Sequence, residues 1–287
     1  MVVLIGYAIA FSCIFGAYII HGGNIQVILH AIPTEMMAIA GGSLGAFVVT
    51  NQPRVLKATV SALPKLLKAS KYTKARYMEM MALLYDILQK ARKEGLMAIE
   101  KDVEEPHDSP LFQKYPTIGG DHHVVEFMTD YLRMMVSGNL NAHEIESLMD
   151  NEIDTHHAEA HAPAAAIQRL AGALPAFGIV AAVLGVVNTM GSVGQPPAIL
   201  GSMIGSALVG TFLGILLAYA VVEPLAGLME QKVDESSKEL QCIKVTLLAS
   251  MQGYAPQVAV EFGRKVLYST ERPTFGELES HVKGKKA

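Results

Sequence analysis

Two apolar runs without a charged side chain, Leu174 to Thr189 and Ala198 to Val222, constrain this chain more than any other feature. The second has 25 residues, more than the roughly 20 that cross a bilayer core. The first is somewhat short unless Ala171 to Ala173 join it. Small residues recur at four-residue spacing: Gly178/Ala182, Ala181/Gly185, Gly201/Gly205 and Gly210/Gly214/Ala218. In lipid, apolar bulk gives helices no reason to associate, whereas small-residue ridges let backbones approach closely. The stretch from Ala171 to Pro224 therefore reads as a membrane hairpin made to pack on other helices, with a proline at each of its polar ends.

Two more apolar runs precede it. Val2 to Ile20 is long enough to span and lacks a basic n-region or a small-residue cleavage site, so it reads as a retained span. A short loop through Pro33 leads to a second span, Met36 to Thr50, thinned by Gly41, Gly42, Ser43 and Gly45 and closed by Pro53. The alternative for these two runs is a buried hairpin in a soluble core. Composition favours the membrane, because 51% of the 287 residues are hydrophobic and only 17% charged. Of the 23 Lys and Arg residues, 14 lie between Arg54 and Arg169 and the other nine follow Val222. The short loops at 21–35 and 190–197 carry none. This asymmetry predicts that both termini, the large middle segment and the tail share the cytoplasmic side. The net charge of −4 offers nothing to nucleic acid. Cys13 and Cys242 lie in unlike regions and are not expected to pair.

The expected fold is an all-α membrane protein with four transmembrane helices, a large helical cytoplasmic domain and a cytoplasmic helical tail. Its predicted segments are 1–52 (spans one and two), 53–170 (cytoplasmic domain), 171–224 (spans three and four) and 225–287 (tail). In the middle domain, Met81, Leu84, Tyr85 and Leu88 share one face of a helix over Tyr77 to Lys93 that Gly95 can stop. A second helix is predicted from Val124 to Val136, ending near Gly138-Asn139. Asn141 with Glu144 forms a capping box for a third, running through His161. In the tail, Leu240, Ile243, Leu247, Leu248 and Met251 form a helical stripe, Val258 to Leu267 a short helix, and 270–287 reads as polar and mobile.

For chemistry, the placement of these spans leaves no ionisable side chain inside any of them, with Glu35 and Glu223 at predicted borders. Intramembrane carboxylates usually mark ion paths, so if this chain helps ions to cross, a partner must bring the carboxylate. Thr211 is the main polar candidate in a span, with Ser202, Ser206 and Asn188 behind it. It either bonds back to its own helix or, with Ala207, faces a partner helix or hydrated path. Pro175 fits the first turn of a helix and Pro224 the end of one; either also suits a hinge. His156, His157 and His161 lie near Glu152 and Asp154, but a metal needs three or four convergent ligands, and a solvated polar helix explains them as well. Around Gly95, Arg92, Lys93, Glu94, Glu100 and Lys101 form either a solvated helix end or a charged docking surface. No Walker A, G-x-S-x-G or H-E-x-x-H pattern occurs, which argues against a nucleotide-driven or hydrolytic enzyme.

The stretches LPAFGIVAAVLGVVNTMGS and VGTFLGILLAYAVVEPLAGLMEQK, with ARKEGLMAIEKDVEEP, LMDNEIDTHHAEA and PQVAVEFGRKVL, resemble the MotA family of flagellar motor stator subunits, in the MotA/TolQ/ExbB proton channel superfamily. The resemblance covers nearly the whole chain. It implies a homopentamer in the bacterial inner membrane around two copies of MotB, whose single helix brings the ion-binding aspartate and whose outer domain holds peptidoglycan. It implies the proton as coupling ion, sodium less so, with no bound cofactor and no enzymatic activity. By motif, Thr211, Ala182 and Ala207 take the ion path and partner-facing roles, Pro175 and Pro224 conformational coupling, and Arg92 and Glu100 contact with the rotor protein FliG. Glu223 departs from the small or neutral residue expected there. The alternatives are a TolQ/ExbB-type energiser, against which the fourth span counts, and a secondary transporter or membrane enzyme, which needs intramembrane groups of its own.

Overall fold

Helix is the only regular structure among the described residues, 2–138 and 141–284 of this computed structural model. In chain order the helices are α1 (Val2–Ile20), α2 (Ile25–Thr50), α3 (Pro53–Leu66), α4 (Lys74–Glu94), a 3-10 turn (Leu96–Ile99), α5 (Glu100–Glu104), α6 (Pro110–Gln113) and α7 (Pro116–Gly119). Then follow α8 (His122–Ser137), α9 (Ala142–Met190), α10 (Pro197–Leu216), a π-helical stretch (Leu217–Val222), α11 (Glu223–Met251), α12 (Pro256–Val266) and α13 (Phe275–Gly284). Four helices are long and apolar enough to cross a membrane: α1, α2, α9 and the run that begins with α10.

The chain divides into two compact units, residues 1–69 with 159–231 and residues 70–158 with 232–287. In the first, α2 packs along α10 through Ile28, Ala31 and Ile39, which meet Leu174, Ala181, Val209 and Leu213. A second cluster in this unit joins α3 to α9 and α11 through Leu66, Ala164, Ile167, Ala226 and Met229. So 53–69 and 159–170 belong with the apolar helices by packing, although their composition groups them with the polar segment. No described residue of α1 is buried, an uncovered apolar surface that suits lipid or neighbouring helices.

The second unit is centred on α4. The predicted apolar face is there, but Tyr77, Met80, Met81, Leu83, Leu84, Ile87 and Leu88 are all nearly inaccessible, so the helix is enclosed on every side. Gly95 ends it, at φ 92°. Helix α8 matches its predicted span and stops at Gly138 in the left-handed region; Asn139 lies outside the described residues. The capping box opening α9 also forms: Asn141 accepts from Glu144 N–H at 3.0 Å, and Glu144 accepts from Asn141 N–H at 2.9 Å.

Four expectations change. Helix α2 begins at Ile25, capped by Asn24, so Pro33 lies inside the helix and not in a loop. Helix α9 continues past His161 to Met190, placing Pro175 in mid-helix, not in a first turn. Pro224 does not end the fourth apolar helix, because α11 continues to Met251. Residues 275–284 are helical, not mobile. Thr274 and Glu277 form a capping box there, with Glu277 accepting from Thr274 N–H at 2.7 Å, while Leu278 and Val282 are buried. Lys74 and those Thr274 bonds hold the Glu277 carboxyl well down, at about 2. Residues 285–287 lie outside the described residues.

Candidate functional site

The hairpin arms meet along the predicted small residues Gly178, Ala181, Gly185, Gly210 and Gly214, whereas Gly201 meets nothing within 4 Å and Gly205 faces Val27 of α2. A methyl group added to Gly214 would lie 2.7 Å from the Leu174 carbonyl oxygen and 3.0 Å from Gly178 Cα. One added to Gly178 would lie 2.9 Å from the Gly210 carbonyl oxygen, and one on Gly185 2.7 Å from Ala207 Cβ. Backbone rests on backbone, and only hydrogen fits between. The glycine at 42 in α2 has a similar cause, since the Phe177 ring of α9 covers it, whereas a methyl on Gly41 or Gly45 would meet nothing within 4 Å.

Within this seam Ala207 is 2% exposed, its methyl packed on Gly185 inside the chain. Thr211 and Ala182 are half-buried. They flank Gly210, where an added methyl would lie 3.2 Å from the Ala182 nitrogen.

The largest departure from the sequence reading is Glu35. It lies inside α2, 10 residues from Ile25, or about 15 Å along the axis at 1.5 Å per residue. Glu35 is therefore well inside one of the four helices long and apolar enough to cross a membrane, not in a loop ahead of it. His30 is also within α2. The spans are thus not free of ionisable groups. The Glu35 Oε2 atom is buried, has no hydrogen-bond partner among the described residues and packs against Gly210. The signal was in the sequence. Ile28, Ala31 and Ile39 are buried, and Glu35 stands four residues from each of the last two, on the same face. Reading Pro33 as a loop residue hid that register.

The two coupling candidates occupy different backbone settings. Pro175 lies in α9 beside Gly214, to which its Cα comes 3.3 Å from an added methyl. Pro224 lies two residues past the end of the π-helical stretch, where Glu223 N–H donates to Ala218 O five residues back. Proline cannot donate to the preceding turn, and π-bulges relax such mismatches. The Tyr7 hydroxyl donates to the Val221 carbonyl in this stretch at 2.9 Å. Glu223 accepts from Gln168 Nε2 at 3.2 Å, which keeps the unexpected carboxylate occupied.

Arg92 and Glu100 are both exposed, Arg92 in the last turn of α4 and Glu100 at the start of α5. Neither forms an ion pair among the described residues. Arg92 borders a cleft of about 440 Å³ lined by Leu88, Leu96, Ile99, Met135 and Tyr254. At the opposite end of α4, Arg76 is 4% exposed, paired to Glu239 at 2.6 Å and to Asp121 at 2.6 Å. Burial alone would raise Asp121, but its bonds and charges with Lys71 and Arg76 outweigh that and hold it below the usual range. The histidines disperse: His157 meets Ser237 at 3.0 Å and His161 meets Glu230 at 3.3 Å. No three potential metal ligands converge among the described residues.

Residues 4–95 match the family described as Motility protein A N-terminal, and residues 121–242 match the MotA/TolQ/ExbB proton channel family. Motility protein A of Escherichia coli K12 is 50% identical over 286 residues, covering 100% of this chain and 96% of that protein. Among solved structures, that of C. jejuni MotAB aligns with a TM-score of 0.75 at 20% identity, covering 95% of this chain and 98% of the other. The flagellar MotAB stator complex from Bacillus subtilis aligns with a TM-score of 0.73 at 24% identity, again covering 95% and 98%. The fold, the span count and full-length identity agree: the chain belongs to the motility protein A family.

Proposed function

We propose that this chain is a stator subunit of the bacterial flagellar motor, driven by ion flow and not an enzyme. The observation that carries the reading is full-length 50% identity to an E. coli motility protein, joined to a hairpin whose glycine seam leaves Thr211 and Ala182 half-buried. Five copies surround two MotB helices in the inner membrane. The segregation of Lys and Arg supports cytoplasmic termini, middle segment and tail.

Protons pass through the ring to MotB's aspartate. Protonation of a desolvated carboxylate changes which contacts it prefers, and that difference in affinity between two states drives a step. Thr211 and Ala182 meet the partner helix, while Ala207 keeps the hairpin closed beside them. Pro175 and the π stretch before Pro224 are places where the helical ladder is already broken, so bending there costs few bonds. Exposed, unpaired Arg92 and Glu100 push on FliG. A membrane potential of 100 mV supplies about 2.3 kcal/mol per charge.

The test is complementation of a strain lacking its own motility protein A. The wild-type chain restores rotation that stops when a protonophore collapses the proton gradient and persists without sodium. Arg92→Glu abolishes torque while leaving ring assembly with MotB intact, as measured by native mass spectrometry. A chain that assembles no ring, or an Arg92→Glu variant with full torque, refutes the reading.

A further inference from the structure

We propose that Glu35 is a proton-binding site carried by this chain itself, standing on the coupling-ion path ahead of the partner's carboxylate. The inference rests on the stator reading and extends it.

Three observations place the group. Glu35 is about 15 Å along α2 from Ile25, inside a helix long and apolar enough to cross a membrane. Its Oε2 atom is buried with no hydrogen-bond partner among the described residues. It packs on Gly210, beside Ala181 and immediately before Thr211. A glycine at 210 makes room for the carboxyl where it stands, since a methyl there would force Oε2 to move. A buried carboxyl oxygen without a donor among the described residues is an open requirement: it must hold its own proton or receive one from outside the chain. Intramembrane acids persist where such an exchange is used. A purely structural residue at this position would be served better by leucine or glutamine.

Nothing nearby competes for the proton. The stretch of α9 from Leu170 to Met190 and all of α10 lack ionisable side chains. On α2 the other ionisable group is His30, whose Nδ1 lies 3.1 Å from the Gln26 carbonyl. Helix α1 brings Cys13, Tyr18 and Tyr7, the last engaged on Val221.

The step conserves atoms. An O–H bond forms at Oε2 as a proton arrives from the outer water and the carboxylate becomes neutral. That bond breaks when the proton passes to the partner's carboxylate beside Thr211, and Glu35 is again ready. Each subunit of a ring carries one such group, so the waiting partner acid always has a loaded neighbour.

The test separates delivery from force. Near stall, the work per proton sets torque and delivery is not limiting; at low load, transit sets speed. Bead-rotation assays on cells carrying Glu35→Gln, Glu35→Asp and Glu35→Leu, at several external pH values, distinguish the two. We expect Glu35→Gln to slow low-load rotation by on the order of tenfold, less than the roughly 10²–10⁴-fold lost with a general acid or base. Stall torque falls much less, and the dependence of speed on external pH flattens. Glu35→Asp restores part of both. If Glu35→Gln matches wild type in speed at every load and pH, the proposal is wrong. It is equally wrong if all three variants lose torque in proportion at every load, because Glu35 then only packs. A wild-type chain that fails to complement sinks the stator reading instead, before Glu35 is reached.

Discussion

Gly214→Ala measures how much of the fold depends on backbone touching backbone. The new methyl would sit 2.7 Å from the Leu174 carbonyl oxygen, 3.0 Å from Gly178 Cα and 3.3 Å from Pro175 Cα. All three are main-chain atoms of α9, so no rotamer change relieves the contact. The helices must separate by roughly 0.5–1 Å, a gap that forfeits a quarter to a half of each dispersion contact along the seam. Overpacking of this kind costs about 1–3 kcal/mol, and alanine's better helix propensity returns up to about 1. The matched control is Gly201→Ala in the same helix, where an added methyl meets nothing within 4 Å and only the propensity gain remains. The two variants should therefore differ by about 1–3 kcal/mol in opposite directions from wild type. The assay is detergent-driven unfolding of the purified full chain, followed by loss of helical circular dichroism. Equal midpoints for Gly214→Ala and Gly201→Ala would refute the close-approach reasoning.

Two further outcomes concern the buried charges around Arg76. Arg76→Met strands Glu239, 2% exposed, and removes a partner of Asp121. Breaking a buried pair on one side costs about 3–5 kcal/mol, and Arg76→Met with Glu239→Leu should recover most of it; thermal unfolding of the two variants reads the difference. Asp121 titrates in the folded chain below its unfolded value. Its contribution is therefore complete above the unfolded value, near 3.9, and disappears as pH falls through the folded one. Acid titration of stability should accordingly steepen below about pH 4 in wild type and less so in Asp121→Asn.

Local signals were readable wherever the stabilising partner is close in sequence. Asn141 with Glu144 is such a case, as are the Gly95 and Gly138 stops and the uncharged length of α1. The same logic extended to Thr274 with Glu277 and the Leu278/Val282 pair finds α13. There, high polarity concealed a four-residue apolar spacing. Proline misled in the other direction. Pro33, Pro175 and Pro224 each read as boundaries, because proline removes one donor and strains one turn. In long helices that loss is small beside the remaining hydrogen bonds and the packing on both sides, so the helices run through.

By itself the sequence determined four apolar helices of membrane-crossing length, their small-residue spacing and the resemblance to the motility protein A family. Those are properties of composition and of spacing within one helix. Only the tertiary structure decided that Ala207 is enclosed on Gly185, that α4 is covered all round, and that Glu35 lies deep against Gly210 with an unsatisfied oxygen. Each depends on which face of one helix meets which residue of another. That register is set by contacts between residues far apart in the chain, such as 35 with 210, and no local pattern states it.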